Sequence, residues 1–265
     1  MSAIRPPAVA GTFYPADVAR LRAAVGGCLA EANGTPAHGA LQALIAPHAG
    51  YVYSGPVAGC AFAGLAGASA RIRRVVVIGP VHYVPIRGLA APSAGAFRTP
   101  LGDVPLDREA IDRIRELPQV AEADLPHQPE HALEVELPFL QATLGEFALV
   151  PLVVGDTTPE AVADVLRRLW DGPETLIVIS SDLSHYESYA SASEHDATTA
   201  AAIERLDEAA LGPRDACGYL PMAGLLIEAR RRGMGIERLD LRNSGDTAGP
   251  KDQVVGYGAW ACRAS

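Results

Sequence analysis

Three apolar runs in this chain each break off at a short turn that delivers a histidine, and this pattern constrains the fold more than any other feature. The first, Leu41 to Ala46, is followed by Pro47-His48-Ala49-Gly50-Tyr51. The second, Val75 to Ile78, leads through Gly79-Pro80-Val81 to His82. The third, Leu176 to Ile179, leads through Ser180-Ser181-Asp182-Leu183-Ser184 to His185. Short apolar runs bounded by Gly, Pro and Ser read as fully buried strands. Such strands belong to parallel sheets covered on both faces. Open α/β sheets bind ligands just beyond the carboxyl ends of their strands, which is where these histidines fall.

The stretches between the runs read as helices and shorter strands. Asp17 caps a helix to about Ala32, which Asn33-Gly34-Thr35-Pro36 then breaks. Pro56 to Leu65 reads as a small-residue helix. Gly88 to Asp107 carries two or three short strands, read as a hairpin on the sheet edge. Asp107 caps a helix to about Leu117. His127 to Leu140 reads as one helix, with Pro129 near its first turn, Pro138 kinking it, and Leu133, Leu137, Leu140 and Leu144 as its apolar stripe. Phe147 to Val154 is a further core strand, and Thr158 caps a helix to Trp170. Ser191 to Leu206 is helical, and a last helix, Asp215 to Arg232, has Cys217 in its first turn. Strands Ile236 to Leu241 and Val254 to Cys262 close the sheet. Strands alternating with helices predict an α/β fold with a mostly parallel sheet between helix layers. No linker or repeat interrupts it, so residues 1–265 are expected to form one domain.

Composition narrows the function. Lys+Arg 22 against Asp+Glu 31 gives a net charge of −9, which argues against nucleic acid and anionic membranes as partners. No apolar stretch approaches the ~20 residues that span a bilayer. The first residues, Met1-Ser2-Ala3-Ile4-Arg5-Pro6-Pro7, lack an apolar signal core, so the cytoplasm is the expected compartment. Four cysteines without paired spacing fit reduced thiols.

His48 and His82 can be brought together by a parallel sheet, and neutral imidazoles suit a first-row transition metal. Each could instead hydrogen-bond its own loop. His185 is a further candidate ligand or a general acid/base. Asp182 could hold its tautomer or only cap the next turn. His131 and Glu134 would share a helix face, either as groups of a site or as an exposed pair beside the leucine stripe. His127 reads as a helix-start residue, and His38 and His195 as surface residues. Cys217 at a helix start would have a lowered thiol pKa favouring the thiolate, or would be a small buried apolar residue. Cys28, Cys60 and Cys262 read as structural. The polar stretch with Gly245-Asp246 and Lys251-Asp252 could line the same mouth.

Taken together, Ala46-Pro47-His48-Ala49-Gly50-Tyr51, Gly79-Pro80-Val81-His82, the segment Glu130 to Phe139 and Ser180-Ser181-Asp182-Leu183-Ser184-His185 resemble the Memo family. In bacteria and archaea that family is also called AmmeMemoRadiSam system protein B. Ala10-Gly11-Thr12-Phe13-Tyr14-Pro15 and Val255-Gly256-Tyr257-Gly258 match it as well. The resemblance implies a three-layer α/β/α sandwich similar to class III extradiol ring-cleavage dioxygenases. Those enzymes hold non-haem iron on two histidines and a carboxylate. Carried over by motif, His48 and His82 match the histidine ligands and His185 the acid/base histidine. Cys217 falls where the dioxygenases have their carboxylate. A thiolate there makes the site softer and more favourable to copper or zinc; with the family's iron site beside it, iron or copper is the expected metal and zinc a third option. The resemblance also implies association with a radical S-adenosylmethionine protein and an AMMECR-type protein.

The expected function is a metal-dependent redox enzyme with His48, His82 and Cys217 as ligands and His185 moving a proton. Asp182, His131 and Glu134 would orient ligands or substrate, and Tyr51 and Tyr53 would line the pocket. A non-catalytic scaffold that binds a ligand or peptide in the same crevice is the main alternative, and zinc-dependent hydrolysis a weaker one. No strand ends in the Gly-x-Ser-x-Gly elbow of a serine hydrolase.

Overall fold

The computed structural model of the protein describes residues 3–32, 41–68 and 70–264. The break expected at Asn33-Gly34-Thr35-Pro36, and His38, lie outside them. In chain order the elements are β1 (Ile4–Arg5), α1 (Val18–Ala30), β2 (Leu41–Ala46), α2 (Tyr51–Ala63), β3 (Arg74–Pro80), β4 (Leu89–Ala91), β5 (Ala96–Thr99), β6 (Gly102–Pro105), α3 (Arg108–Ile114) and β7 (Val120–Glu122). They continue with α4 (Leu137–Leu144), β8 (Ala148–Val154), α5 (Pro159–Leu169), β9 (Thr175–Ser180), β10 (His185–Glu187), α6 (Tyr189–Glu204), α7 (Tyr219–Arg231), β11 (Gly235–Asn243) and β12 (Val254–Arg263).

The apolar runs form the middle of a nine-stranded sheet of order β10-β12-β2-β9-β3-β8-β4-β7, with β11 also on β12. The four central strands, β2, β9, β3 and β8, are parallel. Antiparallel strands flank them on both sides, β12 on β2 and β4 on β8. The fold is therefore mixed α/β around a parallel centre. Helices α1, α2 and α4 pack together over β2 and β12, and α3, α5 and α7 over β3, β8 and β9. The side chains of β9 are buried along its whole length, as a strand covered on both faces requires.

Several boundaries differ from the sequence reading, each for a local reason. Helix α2 begins at Tyr51, ahead of Pro56, which lies inside it. Proline there forfeits one bond to the carbonyl of Val52, a residue 62% exposed and open to water. The long helix expected over His127–Leu140 does not form. His131 to Glu136 is a loose turn, because the Glu130 carboxylate takes the N–H groups of His131 (2.9 Å) and Ala132 (3.0 Å). The helix starts only at Leu137, and Pro138 sits in its first turn, where a missing N–H costs nothing. The β5–β6 hairpin is not on the edge of the main sheet; with β1 it makes a separate three-stranded sheet. Strands β1, β7 and β10 are too short to show a periodicity.

Helices α1 and α2 cross closely because Gly59 has no side chain. A Cβ there would stand 2.2 Å from the Cys28 carbonyl oxygen. Gly59→Ala is expected to cost about 1–3 kcal/mol of stability by overpacking. Gly26→Ala, on the exposed side of α1, meets nothing within 4 Å and is expected to add about 0.5–1 kcal/mol. Urea denaturation of both variants checks this, and a Gly59→Ala protein as stable as the wild type would contradict the close crossing.

Candidate metal centre

β9 lies between β2 and β3, so the turns after β2 and β3 flank its end. Ala46 pairs with Ser180, and Ile78 with Ile179. His48 and His82 thus follow strands that are not neighbours, yet their rings meet at 5.2 Å between centroids.

His48 is 1% exposed. Its backbone N–H donates to Asp182 Oδ1 (2.8 Å), and its Nδ1 lies 2.7 Å from Ser180 Oγ. The Ser180 hydroxyl also faces two acceptors, the Ala132 carbonyl (2.6 Å) and Glu136 Oε1 (2.8 Å). Its single proton goes to one of these, so its lone pair accepts from Nδ1–H of His48. That fixes the tautomer and leaves Nε2 as a free lone pair facing the crevice. Burial, with His82 nearby, lowers the His48 pKa to about 3, so the ring is neutral at pH 7.

His82 is held by Glu130. Its backbone N–H donates to Oε2 (2.7 Å) and its ring Nδ1 lies 2.9 Å from Oε1. A carboxylate only accepts, so Nδ1 carries a proton and Nε2 is the ring nitrogen left for a ligand. Burial alone would raise the Glu130 pKa, but the His82 and backbone donors outweigh it and hold it at about 2. This carboxylate is therefore ionised throughout the neutral range.

His131 stacks on His82 at 4.7 Å and also meets Phe13 at 4.7 Å. Burial lowers its pKa to about 4, and its Nδ1 lies 3.3 Å from Glu130 Oε1. One nitrogen from each of His48, His82 and His131 lies within 4.8 Å of the others.

Cys217 comes in from the other side. Its Sγ is 3.4 Å from His48 Nε2 and accepts from the Asp182 N–H at 3.3 Å. It precedes α7 by two residues, with Gly218 as the cap, and is not in the helix's first turn. The lowered thiol pKa expected from a helix start is not found. Burial, aided by the Asp182 carboxylate, pushes the thiol up to about 12. Without a metal, Cys217 is a protonated thiol.

Asp182 and His185 line the same crevice, a space of about 570 Å³. Asp182 is buried, which raises its pKa, with the His48 N–H opposing. His185 Nδ1 lies 2.8 Å from the Leu183 carbonyl, an acceptor, so Nδ1 donates and Nε2 is free. Tyr53 lines the crevice; Tyr51 does not. Tyr51 is buried, bonds the Val135 carbonyl (2.8 Å), and borders a separate groove of about 630 Å³ between α1 and α2. Glu134 does not share a helix face with His131 and does not line the crevice. It is fully buried and binds Arg5, the N–H groups of Ala8 and Val9, and the Tyr14 hydroxyl, so it anchors the N-terminal segment. His127 is buried and bonds the Ala90 carbonyl (3.0 Å). Of the polar stretch near the C-terminus, Ser244, Gly249 and Gln253 reach the mouth, while Asp246 accepts from Tyr189.

Sequence reasoning missed Glu130 and Ser180, the groups that set the two tautomers. Each is adjacent to a residue that was singled out, His131 and Ser181-Asp182, but nothing local shows that its partner is a distant histidine. Phe13 and Tyr83 were missed as walls of the site for the same reason. Chemically, the residues fit a transition metal. Three imidazoles converge, those of His48 and His131 neutral, and a soft sulfur donor adjoins His48. The ion would sit among His48, His82 and His131, whose nitrogens are mutually close; Cys217, expected as the third ligand, lies 3.4 Å from His48 Nε2 but is not part of that group.

Comparison with known proteins follows this geometry. A family model described as Memo-like protein matches residues 5–261. A MEMO1 family protein of Methanopyrus kandleri is 37% identical, covering 96% of this chain and 97% of its own. One of Aeropyrum pernix is 38% identical over 97% and 98%, and one of Thermotoga neapolitana 34% over 96% and 98%. Among solved structures, an uncharacterized protein of Escherichia coli matches with TM-score 0.50 and 13% identity, covering 82% of this chain and 99% of the other, a likeness of fold alone. This chain belongs to the Memo-like protein family.

Proposed function

We propose that this protein is a metal-dependent redox enzyme acting on a small molecule in the His48–His185 crevice. The observation that carries the reading is the convergence of three imidazoles within 4.8 Å, beside a thiol 3.4 Å from His48 Nε2. His48 and His82 are the fixed ligands, with Cys217 and His131 as donors on either side. Imidazoles with one soft sulfur favour iron or copper, with zinc as the competitor. Bound there, the metal supplies electron transfer and a Lewis-acid centre. The chain supplies the rest. Ser180 and Glu130 take the Nδ1 side of His48 and His82 and leave Nε2 of each for the ion. His185 offers a free Nε2 at the mouth, where it can take or return a proton. Phe13, Tyr53 and Tyr83 wall the space.

Metal analysis of purified wild type and variants tests the ligand set. One ion per chain is expected, lost in His48→Ala and His82→Ala and kept in His185→Ala. Cys217→Ser should weaken binding far more than Cys28→Ser. Glu130→Gln should weaken it about 10–100-fold, because it removes the group that orients His82. Loss of metal in His185→Ala as complete as in His48→Ala would make His185 a ligand and overturn the division of roles. Reversible spectral change of the iron- or copper-loaded protein on reduction and reoxidation supports redox chemistry. Tight zinc with no such change would select the hydrolytic reading.

Metal uptake also has a pH signature. His48 and His131, at about 3 and 4, are already neutral at pH 7 and lose no proton on binding. Cys217, at about 12, must lose one. Affinity should therefore rise about tenfold per unit above about pH 7, with about one proton released per ion. Calorimetry in buffers of different ionisation enthalpy measures this. The release should vanish in Cys217→Ser, and an unchanged release there would remove Cys217 from the ligand set.

A further inference from the structure

His195, on α6, is outside the crevice, yet it joins the two turns that carry His185 and Cys217. Its Nδ1 is 2.8 Å from Glu187 Oε1, two residues after His185. Its Nε2 is 2.7 Å from Asp215 Oδ1, two residues before Cys217. Both carboxylates are fixed from behind, Glu187 by the Ser191 hydroxyl and Asp215 by the Gly212 N–H at 2.7 Å. Ionised carboxylates accept but do not donate. Both bonds therefore exist together only when both ring nitrogens carry protons, which is the imidazolium. A neutral ring keeps one bond and turns a lone pair toward the other carboxylate.

The β10 turn needs such a tie. Tyr186 has φ +60°, a conformation costly for a bulky non-glycine residue, and is 72% exposed. The pairing of β10 with β12 shifts register between His185 and Glu187, so the ladder holds this turn weakly. On the other side, Cys217 sits in a turn ahead of α7, not within a regular element.

We propose that His195, as imidazolium, is a positioning residue that clasps the His185 turn to the Cys217 turn and makes the geometry of the metal site depend on pH. The functional meaning rests on the redox reading above; the clasp itself does not. The charged groups around it are Glu187 from β10, Asp215 and Arg214 from the turn before α7, and Asp196 beside it on α6. The Asp215 hydrogen bond, with that of Glu187, raises the His195 pKa above its ordinary value. For a raised histidine the stabilisation is complete below the unfolded value of about 6.5 and disappears as pH rises through the folded value. The clasp is thus closed in mild acid and opens as the medium becomes alkaline.

The test uses metal-free full-length protein and two readings. Nitrogen-15 NMR of the histidines should show His195 protonated on both nitrogens, with a titration midpoint above about 6.5. Asp215→Asn should lower that midpoint. Hydrogen exchange, corrected for intrinsic rates, should then show segments 183–188 and 211–218 losing protection together, about two- to five-fold, as pH rises through the midpoint. His195→Gln should lose that pH dependence. A wild-type midpoint at or below 6.5, or the same protection profile in wild type and His195→Gln, overturns the clasp. Since no metal is present, absence of metal binding in the earlier experiment leaves this result untouched, and failure here leaves the ligand assignment intact.

Discussion

The site depends on the three residues at the end of β9, Ser180-Ser181-Asp182, because they hold both sides of it at once. Ser180 Oγ takes the proton side of His48, and Asp182 Oδ1 takes its backbone N–H. Ser181 Oγ accepts the Gly218 N–H at 2.8 Å, and the Asp182 N–H points to Cys217 Sγ. A Cβ on Gly218 would come within 2.7 Å of Ser181 Cβ, so only glycine lets the Cys217 turn approach this closely. The central strand of the sheet therefore places an imidazole and a thiol from chain segments 169 residues apart within 3.4 Å.

Burial then decides the protonation states. Removing His48 and His131 from water lowers their pKa values, and removing Cys217 raises its own. Each group is kept neutral. The Glu130 carboxylate stays charged because four donors surround it. The result is a cluster of lone pairs with its negative charge set back by one residue, an arrangement suited to a cation.

Much of this was legible in the sequence, and the limits have physical causes. Fully buried strands announce themselves, so β2, β3, β8 and β9 lie close to where apolar runs and Gly/Pro breaks put them. The positions of His48, His82 and His185 at strand ends followed from the same runs. The segment from His127 to Leu140 was misread because a 3.6-residue leucine spacing also fits a buried turn followed by a helix. What prevents the longer helix is one carboxylate capturing two N–H groups, which no periodicity records. Glu134 looked like a site residue because it is three from His131, but its partners Arg5 and Tyr14 are 129 and 120 residues away. His195 looked like a surface residue because its carboxylate partners come from two other turns.

The central claim is that His48, His82 and Cys217 act on one ion. X-ray absorption of the protein loaded with one cobalt ion per chain tests it most directly. The expected spectrum has imidazole nitrogen shells together with one sulfur neighbour, the sulfur absent in Cys217→Ser and present in Cys28→Ser. A spectrum without sulfur in the wild type, or one unchanged in His48→Ala, would contradict the assignment.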